Sequence, residues 1–193
     1  MNTRQVEELL VARPTSDGDG VRLMRVFGGQ DLARFDPFLM LDEFGSESSS
    51  DYIGGFPSHP HRGFETVTYM LDGHMQHRDH MGNVGELRNG DVQWMTAGSG
   101  VIHSEMPQQK EGRMRGFQLW LNLAAKDKMQ PASYKDVPAS DIPVIPRAAG
   151  HIKAIAGEVQ GSQGFVRGHI SRPATQPVYL DIVVESGRYA ETF

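Results

Sequence analysis

His59-Pro60-His61 and His103-Ser104-Glu105 are each a pair of potential metal ligands separated by one residue. Residues i and i+2 of a β-strand point to the same face, so each pair projects two side chains together. Two such strands facing one another would bring three imidazoles and one carboxylate around a single point. Calcium and magnesium prefer shells of oxygen, whereas this mixed set suits a divalent first-row transition metal. Four protein ligands on an octahedral ion leave open positions, which separate a reactive centre from a closed structural one. A small β-barrel is the frame such a site requires.

The rest of the chain supplies short strands. With 22 Gly and 11 Pro among 193 residues, tight turns are favoured over long helices. Val21–Phe27 reads as a strand with Val21, Leu23 and Arg25 on one face, and 38–44 reads as another. Residues 64–71, rich in β-branched and aromatic side chains, end at Asp72-Gly73, expected to be a hairpin turn with 75–79 as the return strand. Gly82-Asn83 and Asn89-Gly90-Asp91 are further turns, the second leading into a strand over 92–95. Ala97-Gly98-Ser99-Gly100 bends the chain just ahead of His103, and 117–123 alternates as a strand should. After Pro131, Pro138, Pro143 and Pro146 come strand-like segments at 152–155, 165–170 and 179–184. This rhythm predicts an all-β sandwich or barrel. It divides the chain into a metal-binding domain over 1–130, a Pro-rich linker over 131–147, and a unit over 148–193 too short to close its own core.

Bulk properties narrow the partners. A net charge of −5 and a pI near 5.9 argue against a general nucleic-acid or anionic-membrane surface. Cysteine is absent, which excludes disulfides, thiolate metal sites and cysteine nucleophiles. Met1 to Leu10 is polar and no stretch reaches the length of a membrane span, so the expected location is the cytoplasm.

His59-x-His61-x3-Glu65, with Gly73 beyond it, closely follows the first motif of the cupins. Gly90, Gly98 or Gly100, and His103 follow the second loosely, with Thr96 where proline is usual and two extra residues before the histidine. Longer passages are more specific. Phe35-Asp36-Pro37-Phe38-Leu39-Met40-Leu41-Asp42-Glu43-Phe44 precedes His59-Pro60-His61-Arg62-Gly63-Phe64-Glu65-Thr66-Val67-Thr68-Tyr69. Gly90-Asp91-Val92-Gln93-Trp94-Met95-Thr96-Ala97-Gly98, His103-Ser104-Glu105-Met106-Pro107 and Gln118-Leu119-Trp120-Leu121-Asn122-Leu123 follow in order. Together these resemble the pirin family over about 21–123.

The resemblance implies an all-β cupin barrel (a double-stranded β-helix, or jelly roll) followed by an incomplete second cupin-like domain. It also implies a metal held by His59, His61, His103 and Glu105. Iron(II) is the usual occupant, with manganese, nickel, copper, cobalt and zinc as alternatives. Glu65 is ambiguous. An unbroken strand would put it on the face of His61, where ordinary cupins use it as a ligand, whereas pirins use the position of Glu105 and leave Glu65 beside the site.

In function, the resemblance implies quercetin 2,3-dioxygenase activity, in which a flavonol ring is opened with loss of carbon monoxide. Glu105 would serve both as ligand and as acceptor of a substrate hydroxyl proton, the catalytic role. The second reading, also from the family, is a metal- or redox-sensing regulator that binds a protein partner. The expected partners are therefore a small aromatic substrate or a protein, with no direct nucleic-acid contact and no membrane. An unpaired edge in the truncated C-terminal part would favour a homodimer. His74, His77 and His80 lie past the predicted hairpin turn, do not converge, and read as solvated. Trp94, Met95, Phe64 and Met40 read as barrel core or as walls of an apolar pocket. Arg62 is either an exposed charge or a residue at the pocket mouth.

Overall fold

The computed structural model describes residues 6–29, 34–172 and 174–185; the end of the 148–193 unit, with a turn expected at Gly187, lies outside the described residues. In chain order the strands are β1 (Arg13–Asp17), β2 (Val21–Phe27), β3 (Phe38–Ser46), β4 (Phe56–His61), β5 (Phe64–Asp72), β6 (Met75–Asp79), β7 (Val84–Leu87) and β8 (Val92–Thr96). They continue with β9 (Val101–Pro107), β10 (Met114–Asn122), β11 (Ser133–Val137), β12 (Val144–Arg147), β13 (Gly150–Ala156), β14 (Glu158–Gly161), β15 (Gly164–Arg167) and β16 (Tyr179–Val184). Three short 3-10 turns are the only helical elements among the described residues, and no helix there is long and apolar enough to cross a membrane.

Two antiparallel sheets make the barrel expected of a cupin. One has seven strands in the order β1-β2-β3-β10-β5-β8-β11, the other four in the order β4-β9-β6-β7. Between them lie Val21, Leu23, Phe44, Met70 and Met114 from the larger sheet and Met75 and Leu87 from the smaller. Asp72-Gly73 is not a hairpin turn, which corrects the sequence expectation. The strand before it, β5, pairs with β10 and β8, and the strand after it, β6, pairs with β9 and β7. Both edges of β5 are taken by other strands, so the chain crosses at Gly73 from one sheet to the other. Gly82-Asn83, by contrast, does join a paired hairpin, β6 to β7.

The strand β5 is buried on both faces, as the centre of a covered sheet must be. Thr66, Thr68 and Met70 point into the barrel, while Glu65, Val67 and Tyr69 point the other way. That outer face, with Trp94, Leu119 and Leu121, packs against Ile155, Ala156, Ile170 and Tyr179 of the C-terminal part. Tyr69 adds a hydrogen bond across this junction, donating to Asp181 Oδ2 at 2.7 Å.

The stretch 131–147, expected to be a linker, carries a strand near each end: β11 extends the large sheet beside β8, and β12 starts the three-stranded sheet β12-β13-β16. Its prolines bracket strands or sit on an edge strand, as Pro146 does in β12, where no ladder donor is needed. The β14–β15 hairpin completes the described C-terminal part.

Candidate metal centre

The histidine pairs sit on neighbouring strands of the four-stranded sheet rather than on strands facing each other across the barrel. His59 and His61 are on β4, His103 and Glu105 on β9, and the antiparallel register sets His59 opposite His103. The two-residue period then turns all four side chains to the barrel interior. His61, His103 and Glu105 are buried and His59 is half-buried. Just before β9, the turn at Gly98 has φ +53, and a Cβ there would stand 2.1 Å from the Gln130 carbonyl oxygen. Only glycine fits, so the bend that delivers His103 is fixed by that residue.

The three imidazoles converge through Nε2. His59 Nε2 lies 3.0 Å from His61 Nε2 and 3.0 Å from His103 Nε2, and the ligand atoms of the three all fall within 4.8 Å of one another. On the far side of its ring, His59 Nδ1 lies 2.7 Å from the Pro57 carbonyl, which accepts its proton. That hydrogen bond leaves the Nε2 lone pair facing the other two rings. Burial first, and repulsion from His103 and His59 second, lower His61 to about 3. Burial, then His59 and His77, lower His103 to about 3. Both rings are therefore neutral at physiological pH. Neutral, convergent imidazoles are what a divalent transition-metal ion requires of this donor set, and the residues fit one.

Glu105 opens on the same cavity but lies outside the three-imidazole group. Its carboxylate accepts from Thr68 Oγ1 at 2.9 Å on Oε1 and from Gln118 Nε2 at 3.1 Å on Oε2. Both donors come from the large sheet, at inward positions of β5 and β10. Glu65 is on the opposite side of that sheet. The turn between β4 and β5 passes through Gly63 at φ +78, so the strand is broken and the parity linking Glu65 to His61 is lost. Glu65 Oε1 instead accepts from Thr96 Oγ1 at 2.7 Å and faces Arg172 Nε at 3.4 Å. Arg172 in turn lies over the Trp94 ring, 5.6 Å from its centroid. The glutamate serves the junction with the C-terminal part.

A cavity of about 630 Å³ opens over the imidazoles. Phe64, Trp120, Met40 and Phe44 form apolar walls, Asp42 and Gln118 are polar points, and Arg62 stands at the mouth. Trp120 and Phe64 pack edge-on to the His61 ring, at 5.2 and 5.1 Å between centroids. Asp42 is held by a bidentate pair from Arg25, with contacts of 2.8 and 2.7 Å. Of the four residues read as core or pocket, Phe64 and Met40 line this cavity. Trp94 belongs to the core behind the large sheet, and Met95 packs with Ala97 and Val101.

Of the three histidines read as solvated, His80 is exposed and His74 half-buried, but His77 is 1% exposed. Its place on β6, two residues from the buried Met75, turns it inward, and its Nδ1 lies 3.1 Å from His103 Nδ1. The sequence reading was wrong there because it placed His77 on a return strand past a hairpin turn, whereas β6 pairs with β9 and its two-residue period carries His77 into the barrel. Thr68, Gln118 and Trp120 were likewise passed over, although the period on β5 and β10 places them inward.

Comparison with known proteins agrees with this architecture. The family model described as Pirin matches residues 20–121, more than half of the chain. A protein of Pseudomonas aeruginosa, provisionally named a quercetin 2,3-dioxygenase, is 56% identical over 185 residues, covering 95% of this chain and 65% of its own length. This chain thus spans less than two thirds of that relative's length. The crystal structure of a quercetin 2,3-dioxygenase from Acinetobacter baumannii superposes with a TM-score of 0.71 at 36% identity, over 84% of this chain and 58% of that one. A bacterial pirin from Escherichia coli, in complex with nickel(II), shares the fold at a TM-score of 0.55 and 20% identity, over 76% of this chain and 69% of that one. A family match of this length, carried by a cupin barrel with three convergent imidazoles, means that the chain belongs to the pirin family.

Proposed function

We propose that the protein is a metal-dependent dioxygenase that opens the ring of a flavonol such as quercetin, using iron(II) held by His59, His61, His103 and Glu105. The observation that carries this reading is the group of three convergent imidazoles beside a cavity with flat aromatic walls. The cavity volume is within the usual range for a small-molecule site of about 300–1,000 Å³. When bound, the ion supplies a Lewis-acidic, redox-active centre for reaction of the substrate with dioxygen.

The chain's own residues do the rest. Trp120 and Phe64 offer ring faces and edges against which a planar substrate packs. Met40 and Phe44 exclude water, which strengthens the polar contacts made inside. Glu105, a buried carboxylate that lines the cavity, can accept the proton of a substrate hydroxyl, and Thr68 and Gln118 hold it in place for that step. The relatives named as quercetin 2,3-dioxygenases support this class of chemistry.

The test is aerobic turnover of quercetin by protein reconstituted with iron(II), following the flavonol absorbance and release of carbon monoxide, with His103→Ala as control. Turnover that disappears in His103→Ala is expected. Metal-loaded protein that leaves quercetin unchanged would refute the proposal.

A further inference from the structure

We propose that His77 is a positioning residue that selects the ligand tautomer of His103. The inference rests on the reading of the three imidazoles as a metal site and adds a residue that lies outside the set of ligands.

The geometry around His103 is two-sided. Its Nε2 faces His59 Nε2 at 3.0 Å, toward the centre of the imidazole group, and its Nδ1 faces His77 Nδ1 at 3.1 Å. His77 reaches that spot because β6 pairs with β9 and sets His77 opposite Glu105, one inward position along from His103. Its ring is tilted against His103 with centroids 4.9 Å apart. On another side it meets the Tyr134 ring edge-on at 4.8 Å. Tyr134 is itself tied down, its hydroxyl donating to Asp79 Oδ2 at 2.5 Å. His77 is thus packed between the His103 and Tyr134 rings.

Two ring nitrogens at that distance bond only when one carries a proton and the other a lone pair. There are two ways to arrange this. If His77 holds its proton on Nδ1, His103 accepts at Nδ1 and must hold its own proton on Nε2, pointing at the group centre. That tautomer cannot ligate. If His103 donates from Nδ1, its Nε2 lone pair faces the centre and His77 carries its proton on Nε2. Only the second arrangement makes His103 a ligand. His77 Nε2 is buried with no hydrogen-bond partner among the described residues, so no contact on that side competes with His103 in fixing the His77 tautomer. The tautomer is set from the Nδ1 side, by His77 offering its lone pair to His103. His59 obtains the same result from the Pro57 carbonyl. The two imidazoles thus use different acceptors for the same end, and the one for His103 is a side chain open to mutation.

The experiment compares wild type, His77→Leu and His77→Asn, each loaded with cobalt(II). Affinity is read by competition with a chromophoric chelator, and ligand geometry by the visible absorption of the bound cobalt. His77→Leu, which has no acceptor, should bind about 10–100-fold more weakly, the usual effect of losing an outer hydrogen-bond partner of a metal ligand. Its cobalt spectrum should also change. His77→Asn places an amide oxygen near the position of Nδ1 and should restore both. Wild-type affinity in His77→Leu, or equal loss in both variants, overturns the role of His77. Failure of the wild type to bind cobalt overturns the metal reading itself, which is a different result. A measurement on the unmutated protein guards against misfolded variants: nitrogen-15 spectra of the zinc-loaded chain should show His77 protonated on Nε2. Protonation on Nδ1 would refute the inference.

Discussion

Acid should destabilise the metal-free protein well before its carboxylates titrate. Burial, and after it the repulsion among neighbouring rings, holds His61 and His103 down to about 3 from their ordinary 6.5. Below pH 6.5 an unfolded chain takes up a proton on each ring that the native chain refuses. Stability is therefore greatest above that pH and is lost as the pH falls toward 3. At pH 5 the mismatch amounts to about 2 kcal/mol per imidazole, or about 4 kcal/mol for the two, set against total stabilities of about 5–15 kcal/mol. His77, lowered chiefly by burial, acts in the same direction. The lowered carboxylates, Glu86 and Asp79, have ordinary values of 4.5 and 3.8, below the assayed range of pH 7 to 5. Burial pushes Asp79 up, but bonds from Tyr134, Asn83 and Met81 outweigh it and hold the group at about 2, so it matters only below its ordinary 3.8. Urea unfolding at pH 7, 6 and 5, with chelator present and ionic strength fixed, should give a midpoint that falls steadily at constant m. His61→Gln/His103→Gln, whose amides do not titrate, should lose about 4 kcal/mol of that difference. Equal midpoints at pH 7 and pH 5, or an undiminished slope in the double variant, would refute the claim that these rings are held neutral by burial.

Three further perturbations probe other parts of the argument. Arg172→Met leaves Glu65 buried without its cation and should cost about 3–5 kcal/mol in urea unfolding, while adding Glu65→Met should recover most of the loss; additive losses would show that the two groups are not paired. Gln118→Leu removes a donor to Glu105 and should cost about 1–3 kcal/mol in the metal-free protein, read from the thermal midpoint. Ile155→Ala should destabilise by about 2–5 kcal/mol if the C-terminal part is packed on the back of the large sheet, and a neutral effect would detach it.

Much of the site was readable because its signals are local. His59-x-His61 and His103-x-Glu105 each need only a strand to share a face, and β4 and β9 are strands. Gly98 and Gly82-Asn83 mark real turns. What local pattern could not convey was pairing. Whether the chain turns back or crosses at Gly73 depends on which edges of β5 are free, and that is decided by β8 and β10, strands distant in sequence. The same ignorance misplaced Glu65. A count of four residues from His61 holds parity only along one strand, and Gly63 starts a new one. His77 failed for a related reason. The expectation of a hairpin turn put it on a free-standing return strand, where a histidine would be solvated. Once β6 is paired with β9 instead, the residue two beyond Met75 must enter the barrel opposite Glu105. The linker over 131–147 was inferred from prolines, yet the missing donor and fixed φ of a proline are both tolerated on an edge strand such as β12. The misses at Gly73, Glu65 and His77 are thus ones of partner choice. A strand's period tells which side chains travel together; only its neighbours decide whether they travel toward the imidazole group or away from it.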